Sequence, residues 1–215
     1  MFVLGLTGSI GMGKSTASAA FRSFGVPIFD ADAAVHGLLG STGAAVAAVI
    51  AAFPDCLTAD GAIDRRLLGR RVFAEKDALA QLEAIVHPLV QAAQRRFLAR
   101  CAGARRPLVV LDIPLLYETG ADGQMDAVVV VSAPAFVQAQ RVLRRPGSTA
   151  ERLAAIRQRQ LPDAEKRRRA DFIIPSGLGK RGGIAAVAHI IDRTRHHRGT
   201  AWPDRWRQRR ASTKR

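Results

Sequence analysis

A glycine-rich loop that ends in lysine and serine follows a short apolar run at the start of the chain. The loop, Gly8 to Ser15, fits the pattern Gly-x4-Gly-Lys-[Ser/Thr]. Its glycines adopt angles that a side chain would forbid, so that successive backbone N–H groups can curl around a phosphate. Lys14 can reach the β- and γ-phosphates, and the Ser15 hydroxyl can bind Mg2+. A glycine-rich turn in an unrelated α/β protein is the alternative, but a strand at 2–6 and a helix at 15–24 favour a nucleoside triphosphate site.

The rest of the chain alternates short apolar runs with helical patterns, which is typical of a parallel sheet covered by helices. We therefore predict an α/β protein with the P-loop NTPase fold and a five-stranded parallel sheet flanked by helices. The predicted strands are 2–6, 26–29, 108–111, 127–131 and 172–174.

The long interval between the second and third predicted strands contains only helical patterns. They fall at 33–39, 43–53, 64–73, 77–86 and 88–102. Asp64 is the predicted N-cap of the third of these helices. Residues 33–105 are therefore predicted to form an inserted helical substrate lobe, and residues 1–32 and 106–195 to form the nucleotide-binding core.

Arginine-rich helices follow the fourth predicted strand. A helix from Ala135 is broken at Pro146-Gly147, and the next is opened by a capping box, Ser148 to Glu151. A third, short helix begins at Pro162. Because these helices carry little apolar surface, we predict a mobile lid at about 140–169.

The formal charge of +15 is concentrated in two segments. Residues 141–169 hold ten Lys and Arg against three acids, and residues 193–215 hold nine against one. Such segments indicate an anionic partner, either a polyphosphate substrate or a nucleic acid. Helical periodicity fades after Arg193, so residues 196–215 are predicted to be a basic, flexible tail that binds polyanions weakly.

Composition and length argue against several classes of protein. A chain of 215 residues can form one core with an inserted lobe, and 48% hydrophobic residues argue against disorder. No apolar run is long enough to span a membrane, and the first apolar stretch lacks the basic region of a signal peptide. Cys56 and Cys101 have no metal-ligand spacing around them. We therefore expect a cytoplasmic protein with reduced thiols and no membrane partner.

Acidic residues follow two of the predicted strands, at the edge where open α/β sheets bind ligands. Asp30 and Asp32 follow the second strand. One of them would act as a base or orient the acceptor hydroxyl, or Asp32 would cap the next helix. Asp112 follows the third strand, where it would orient Mg2+ through water or cap the turn at Pro114. Glu118 lies just beyond, either in the site or on a helix surface.

Two arginines of the predicted lid, Arg141 and Arg145, are spaced to share one helix face. A closing lid would bring them to the γ-phosphate, where they would stabilise the charge of phosphoryl transfer. Solvated surface arginines are the alternative. His87-Pro88 begins a predicted helix, and taken alone this histidine is a packed or capping residue.

Together, these motifs resemble those of the dephospho-coenzyme A kinase family. The resemblance covers residues 2–177 in the order and spacing of the family. It comprises Thr7 to Thr16, Asp30-Ala31-Asp32 with His36, Arg65 with the leucine-rich helix to Phe73, His87-Pro88-Leu89, Pro114-Leu115-Leu116 with Glu118, Arg141, Arg145, Gln160 and Ala170-Asp171.

The resemblance implies a kinase that uses ATP and Mg2+ to phosphorylate the ribose 3′-hydroxyl of dephospho-CoA, the last step of coenzyme A synthesis. It implies catalytic roles for Lys14, Asp32 and Arg141, with Asp32 as the base. The residues expected to bind ATP are Gly11, Met12, Gly13, Lys14, Ser15, Thr16 and Arg145. Those expected to bind dephospho-CoA are Thr7, Asp32, Arg65, His87, Leu115 and Glu118. Ser15 and Asp112 are the expected metal ligands.

The sequence departs from the family pattern at Ser176, where the family usually has an asparagine near the adenine pocket. Two other functions stand as alternatives. A nucleoside or nucleotide kinase would share the loop and the lid. A nucleotide-dependent nucleic-acid-binding protein would stack bases on Trp202 and Trp206. The sequence contains no helicase-like second lobe, so nucleic acid is not the expected partner.

Overall fold

The fold is built on a sheet of five strands, and the computed structural model describes residues 1–177 and 179–207. The strands are β1 Phe2–Thr7, β2 Ile28–Asp30, β3 Leu108–Asp112, β4 Ala127–Ser132 and β5 Phe172–Pro175. Their order in the sheet is β2-β3-β1-β4-β5. β1 pairs in parallel with β3 and with β4, and β4 pairs in parallel with β5. The predicted α/β fold with a five-stranded parallel sheet is confirmed, because every predicted strand is present.

The helices lie between the strands along the chain, except for the last two described, which follow β5. They are α1 Lys14–Ser23, α2 Ala31–Leu38, α3 Val46–Ala52, α4 Arg65–Ala74, α5 Lys76–Gly103, α6 Ala135–Leu143, α7 Ala150–Arg159, α8 Asp163–Arg169, α9 Lys180–Thr194 and α10 Asp204–Arg207. None of the helices in the described part of the chain is long and apolar enough to cross a membrane.

The chain forms two compact units, and the sheet belongs to the one made of Met1–Phe29 and the chain from Arg100 onward. Its core joins the apolar faces of β1, β3, β4 and β5 to α1 and α9. The buried members are Leu4, Leu6, Ala17, Ala20, Phe21, Val26, Leu108, Val110, Ala127, Val129, Val131, Ile174, Val187 and Ile190. The strands read as unbroken apolar runs because helices cover both faces of such a sheet.

The second unit, Asp30–Ala99, is helical and has a core of its own. The buried members of that core are Leu39, Ala45, Val49, Phe53, Cys56, Ile63, Leu68, Val72 and Ala78. Asp64 caps α4, as predicted, by accepting hydrogen bonds from the N–H groups of Arg66 (2.9 Å) and Leu67 (3.0 Å).

Three local predictions were wrong. Pro88 does not start a helix but lies inside α5. Proline has no N–H group to donate to the carbonyl four residues earlier, that of Ala84, but Ala84 and Pro88 are both exposed to water. The N-cap of α7 is Thr149 rather than Ser148. The N-cap of α2 is Asp30, which accepts from the Ala33 N–H, so Asp32 does not have the capping role.

The predicted flexible tail is also wrong for its first part, because residues 196–207 pack on the sheet-bearing unit. The Asp126 carboxylate, just before β4, accepts the N–H groups of Val3 (2.8 Å), Thr200 (2.6 Å) and Ala201 (2.8 Å). Trp206 is only 6% exposed, and its indole N–H donates to the Gln124 carbonyl. A buried indole is not available to stack on bases. The rest of the predicted tail, 208–215, lies outside the described residues.

Candidate active site

The phosphate loop joins β1 to α1 in a conformation that needs glycine at two positions. Gly11 has φ 76° and Gly13 has φ 92°, a region that other residues rarely enter. A Cβ atom at Gly11 would also lie 2.6 Å from the Val142 side chain of α6. Gly13 is the N-cap of α1, and the first turn of that helix carries no acidic residue. The positive end of α1 is therefore left to attract a phosphate.

Lys14 and Asp112 form an ion pair beside this loop. The Lys14 Nζ atom lies 2.5 Å from Asp112 Oδ1, and the Ser18 hydroxyl donates to Oδ2 of the same carboxylate at 2.5 Å. Asp112 is 2% exposed, so its carboxylate is fixed inside the protein at the end of β3. The carboxylate binds side chains of α1 rather than the turn at Pro114, so the capping role is wrong, whereas the metal role of Asp112 stays a prediction.

Arg141 joins the phosphate loop to the strand end of β5. Its guanidinium donates to the Ser176 hydroxyl (2.9 Å) and carbonyl (2.7 Å), and at 3.4 Å to the Gly11 carbonyl. The Ser176 hydroxyl in turn donates to the Met12 carbonyl at 2.5 Å. Arg141, on α6, therefore already contacts the phosphate loop in this structure, and the lid at about 140–169 stays a prediction.

A cleft of about 400 Å3 opens beside Arg141. Its lining includes the residues expected to bind ATP at Gly11, Gly13, Ser15 and Thr16, together with Ala17, Ala20, Val131, Arg141, Arg145, Ile174, Ser176, Gly179, Lys180, Gly183 and Ile184. Arg145 lies beyond the end of α6, so it shares the cleft with Arg141 but not the helix face predicted for both. The described lining holds three cationic side chains and no acidic one, which suits a polyphosphate.

Two residues expected to bind the acceptor lie near the loop after β3. Thr7 is fully buried, and its hydroxyl donates to the Pro114 carbonyl at 2.9 Å. This hydrogen bond ties the end of β1 to the 114–118 turn. Leu115, in contrast, is 41% exposed and presents an apolar surface there.

Glu118 is not on a helix surface, because it lies in a turn and pairs with a buried lysine. Its Oε1 atom is 2.8 Å from Nζ of Lys166, which is 0% exposed, and it also accepts the Leu161 N–H at 2.8 Å. Burial acts to raise the pKa of the Glu118 carboxyl, but the Lys166 and Leu161 hydrogen bonds outweigh it and hold that pKa below its usual range. Glu118 therefore anchors α8, which the predicted lid included.

The helical unit holds the other expected residues. Asp32 lies in the first turn of α2, exposed to solvent. The His36 ring nitrogen contacts the guanidinium of Arg65, the first residue of α4. His87 is an exposed residue in the middle of α5, so it is neither packed nor a cap.

Sequence reasoning missed several residues that shape the site. Ser18, which holds Asp112, looks like any small residue of an amphipathic helix. Lys166 sits in an arginine-rich helix that reads as solvated, and its burial has no local signal. In the sequence Ser176 differs from the family pattern without indicating a role, whereas its hydrogen bonds to Arg141 and Met12 make it a link within the site.

Comparison with known proteins also identifies relatives that are kinases. A model of the dephospho-CoA kinase family matches residues 2–178. The dephospho-CoA kinase of Rhodospirillum rubrum is 57% identical over 185 residues, which is 86% of this chain and 88% of the relative. The dephospho-CoA kinase of Paramagnetospirillum magneticum is 62% identical over 167 residues, 78% of each chain.

Two solved structures are similar to this chain over most of its length. The crystal structure of TT1252 from Thermus thermophilus is 34% identical and superposes with a TM-score of 0.79, covering 89% of this chain and 96% of that one. Dephospho-CoA kinase from Campylobacter jejuni is 25% identical with a TM-score of 0.62 and the same coverage. The phosphate loop, the parallel sheet and these relatives lead to one conclusion: the chain belongs to the dephospho-CoA kinase family.

Proposed function

We propose that this protein transfers the γ-phosphate of ATP to the ribose 3′-hydroxyl of dephospho-CoA and so produces coenzyme A. The observation that carries the kinase activity is the phosphate loop, whose glycine geometry and open α1 N-terminus form an anion cradle beside a cationic cleft. The choice of dephospho-CoA as acceptor rests on the activity for which the relatives are named.

Charge neutralisation at the transferring phosphate is the main task of such a site, because phosphoryl transfer needs positioning and electrostatic stabilisation more than covalent chemistry. In this proposal Lys14 exchanges its ion pair with Asp112 for the β- and γ-phosphates. Arg141, whose guanidinium donates to the Gly11 carbonyl at 3.4 Å, would stabilise the same charge. Arg145 contributes from the cleft wall.

Mg2+ fits the oxygen groups of this site. The exposed Ser15 hydroxyl and the Asp112 carboxylate are the hard oxygen ligands that this ion prefers, and Asp112 is fixed by Ser18. These two residues would hold the ion, which would neutralise phosphate charge when bound. Asp112 therefore changes partner when Lys14 turns to the phosphates.

The acceptor hydroxyl needs a group that takes or orients its proton. We assign this role to Asp32, at the start of α2, on the strength of the family resemblance. Arg65 and His87, within the predicted lobe over 33–105, and Leu115, after β3, are proposed as contacts of dephospho-CoA. The lobe would then have a role in binding the substrate. Thr7 and Glu118 act indirectly in this proposal, by holding the 114–118 turn and α8.

A panel of acceptors tests the proposal. Release of ADP is measured with dephospho-CoA, adenosine, a deoxynucleoside and RNA in parallel, each at saturating ATP, with the Lys14→Ala protein as the blank. We expect ADP release with dephospho-CoA alone. Faster release with adenosine or the deoxynucleoside would replace the proposed acceptor, and release stimulated by RNA would favour the nucleic-acid alternative.

A further inference from the structure

Two glutamine side chains hold the same residue of the phosphate loop from outside the loop. The Gln138 amide group donates to the Ile10 carbonyl at 2.8 Å, and the Gln160 side-chain oxygen accepts from the Ile10 N–H at 3.1 Å. Gln138 lies on α6, and Gln160 is the C-cap of α7. Both peptide groups that flank Ile10 are therefore fixed by side chains about 130 to 150 residues away in sequence.

Arg157 fixes which way the Gln138 amide points. The Arg157 Nε and Nη2 atoms donate to Gln138 Oε1 at 3.0 and 2.6 Å. Because a guanidinium can only donate, it selects the oxygen of the amide and leaves the NH2 group for the Ile10 carbonyl. Gln138 is 4% exposed, so water competes little for this group.

The loop needs such external support because of its composition. Ile10 directly precedes the segment that contains Gly11 and Gly13, the glycines of the loop that have positive φ. Glycine does not by itself favour these angles over others, so the loop is held in its phosphate-binding shape by the groups around it. The hydrogen bonds with Gln138 and Gln160 fix Ile10, at the point where the anion cradle of the loop begins.

We propose that Gln138 and Gln160 are positioning residues that shape the phosphate loop for the nucleotide, with a donor required at 138 and an acceptor required at 160. The proposal rests on the kinase function proposed above. It connects α7 to the loop twice, through Gln160 and through Arg157, so that the position of α7 and the shape of the cradle depend on each other.

The same substitution, glutamine to glutamate, separates the two requirements. In Gln138→Glu a carboxylate oxygen faces the Ile10 carbonyl, so the hydrogen bond is replaced by repulsion between two acceptors. We expect the ATP KM and the ADP Kd to rise about tenfold, the cost of about one hydrogen bond. In Gln160→Glu the acceptor for the Ile10 N–H is retained, so the ATP KM and the ADP Kd should stay within about threefold of those of the unmodified protein. In Gln160→Ala this acceptor is lost, so both constants should rise about tenfold.

This order cannot come from added charge alone. A new carboxylate at 138 lies against the Arg157 guanidinium and is partly neutralised, whereas one at 160 faces the uncharged Ile10 N–H group. Charge repulsion of the nucleotide would therefore make Gln160→Glu the weaker binder. Gln140→Glu and Gln158→Glu, at exposed positions of α6 and α7, are matched controls for the substitution itself.

ADP affinity is measured by calorimetry without acceptor, and KM and kcat by ADP release with dephospho-CoA, with the melting temperature of each variant as a check on folding. Equal effects of glutamate at 138 and 160, or an ATP KM unchanged in Gln160→Ala, would overturn the positioning roles. If the unmodified protein binds ADP but does not phosphorylate dephospho-CoA, the proposed function fails, while the ADP affinities still decide the roles of the two glutamines. If a variant unfolds, the remaining two decide.

Discussion

Replacing Trp206 by alanine should destabilise the protein without changing its substrate affinity. Trp206 is 6% exposed, and burial of an aromatic side chain removes roughly 200 Å2 from water. At about 25 cal/mol per Å2, less about a third for the compactness of the unfolded chain, the lost burial is worth about 3 kcal/mol. For a chain of this size each kcal/mol lowers Tm by roughly 2–4 °C, so the expected shift is about 6–12 °C.

Two variants separate burial from hydrogen bonding in this prediction. Trp206→Phe retains most of the ring but loses the 3.1 Å hydrogen bond to the Gln124 carbonyl, which is worth about 1 kcal/mol. Trp202→Ala changes a half-buried tryptophan of the same segment, whose ring centre lies 6.4 Å from that of Trp206, and should cost less than Trp206→Ala.

The assay is thermal unfolding monitored by circular dichroism. The ATP KM of each variant is measured at a temperature about 20 °C lower than the Tm of the Trp206→Ala protein. The substrate affinity should not change, because the segment docks at Asp126 and Val3, at the beginning of β4 and β1, whereas the phosphate loop follows the other end of β1. A Tm unchanged in Trp206→Ala, or in a chain that ends at Arg195, would refute the docking and restore the flexible tail predicted from the sequence.

Three further predictions concern the site itself. Lys14→Ala should lower kcat by at least about 100-fold at saturating ATP with little change in Tm, measured by ADP release; near-normal turnover would exclude this loop as the active site. Asp32→Asn should lower kcat by about 100-fold or more with Tm unchanged if Asp32 takes the acceptor proton, and an active variant would remove it from that role. Glu118→Gln should cost about 3–5 kcal/mol in urea unfolding, because it leaves Lys166 buried without its partner. Folding lowers the pKa of Glu118, so the contribution of this carboxylate to stability is present above the unfolded pKa of about 4.3 and is lost as pH falls through the lower folded value. The Glu118→Gln protein should therefore lose less stability on acidification than the unmodified protein. Identical plots of unfolding free energy against pH for the two proteins would contradict the ion pair.

What the sequence predicted well is local in the chain. The run Ala127 to Val131 reads as a strand because it is apolar on both faces, and the sheet buries it on both faces. The phosphate loop is likewise a single contiguous segment whose glycines have the backbone angles that the pattern requires. Such features need no partner elsewhere in the sequence to be recognised.

What the sequence did not predict depends on distant partners. Trp206 is buried, its N–H donates to the carbonyl of Gln124, 82 residues away, and nothing near Trp206 in the sequence signals that contact. Lys166 pairs with Glu118 across two helices and a strand, so that an arginine-rich helix that reads as solvated is anchored instead. The sequence predicts that a helix begins at His87-Pro88, whereas the exposed position of Pro88 lets α5 continue past it.

The product of the reaction tests the central claim most directly. The protein is incubated with ATP, Mg2+ and dephospho-CoA, and the product is isolated and examined by phosphorus NMR and mass spectrometry, with Lys14→Ala as the control. We predict one new phosphate monoester on the ribose 3′-oxygen for each ADP released, giving a product identical to coenzyme A. Phosphate found on another hydroxyl, or ADP formed with free phosphate while dephospho-CoA is recovered unchanged, would contradict it.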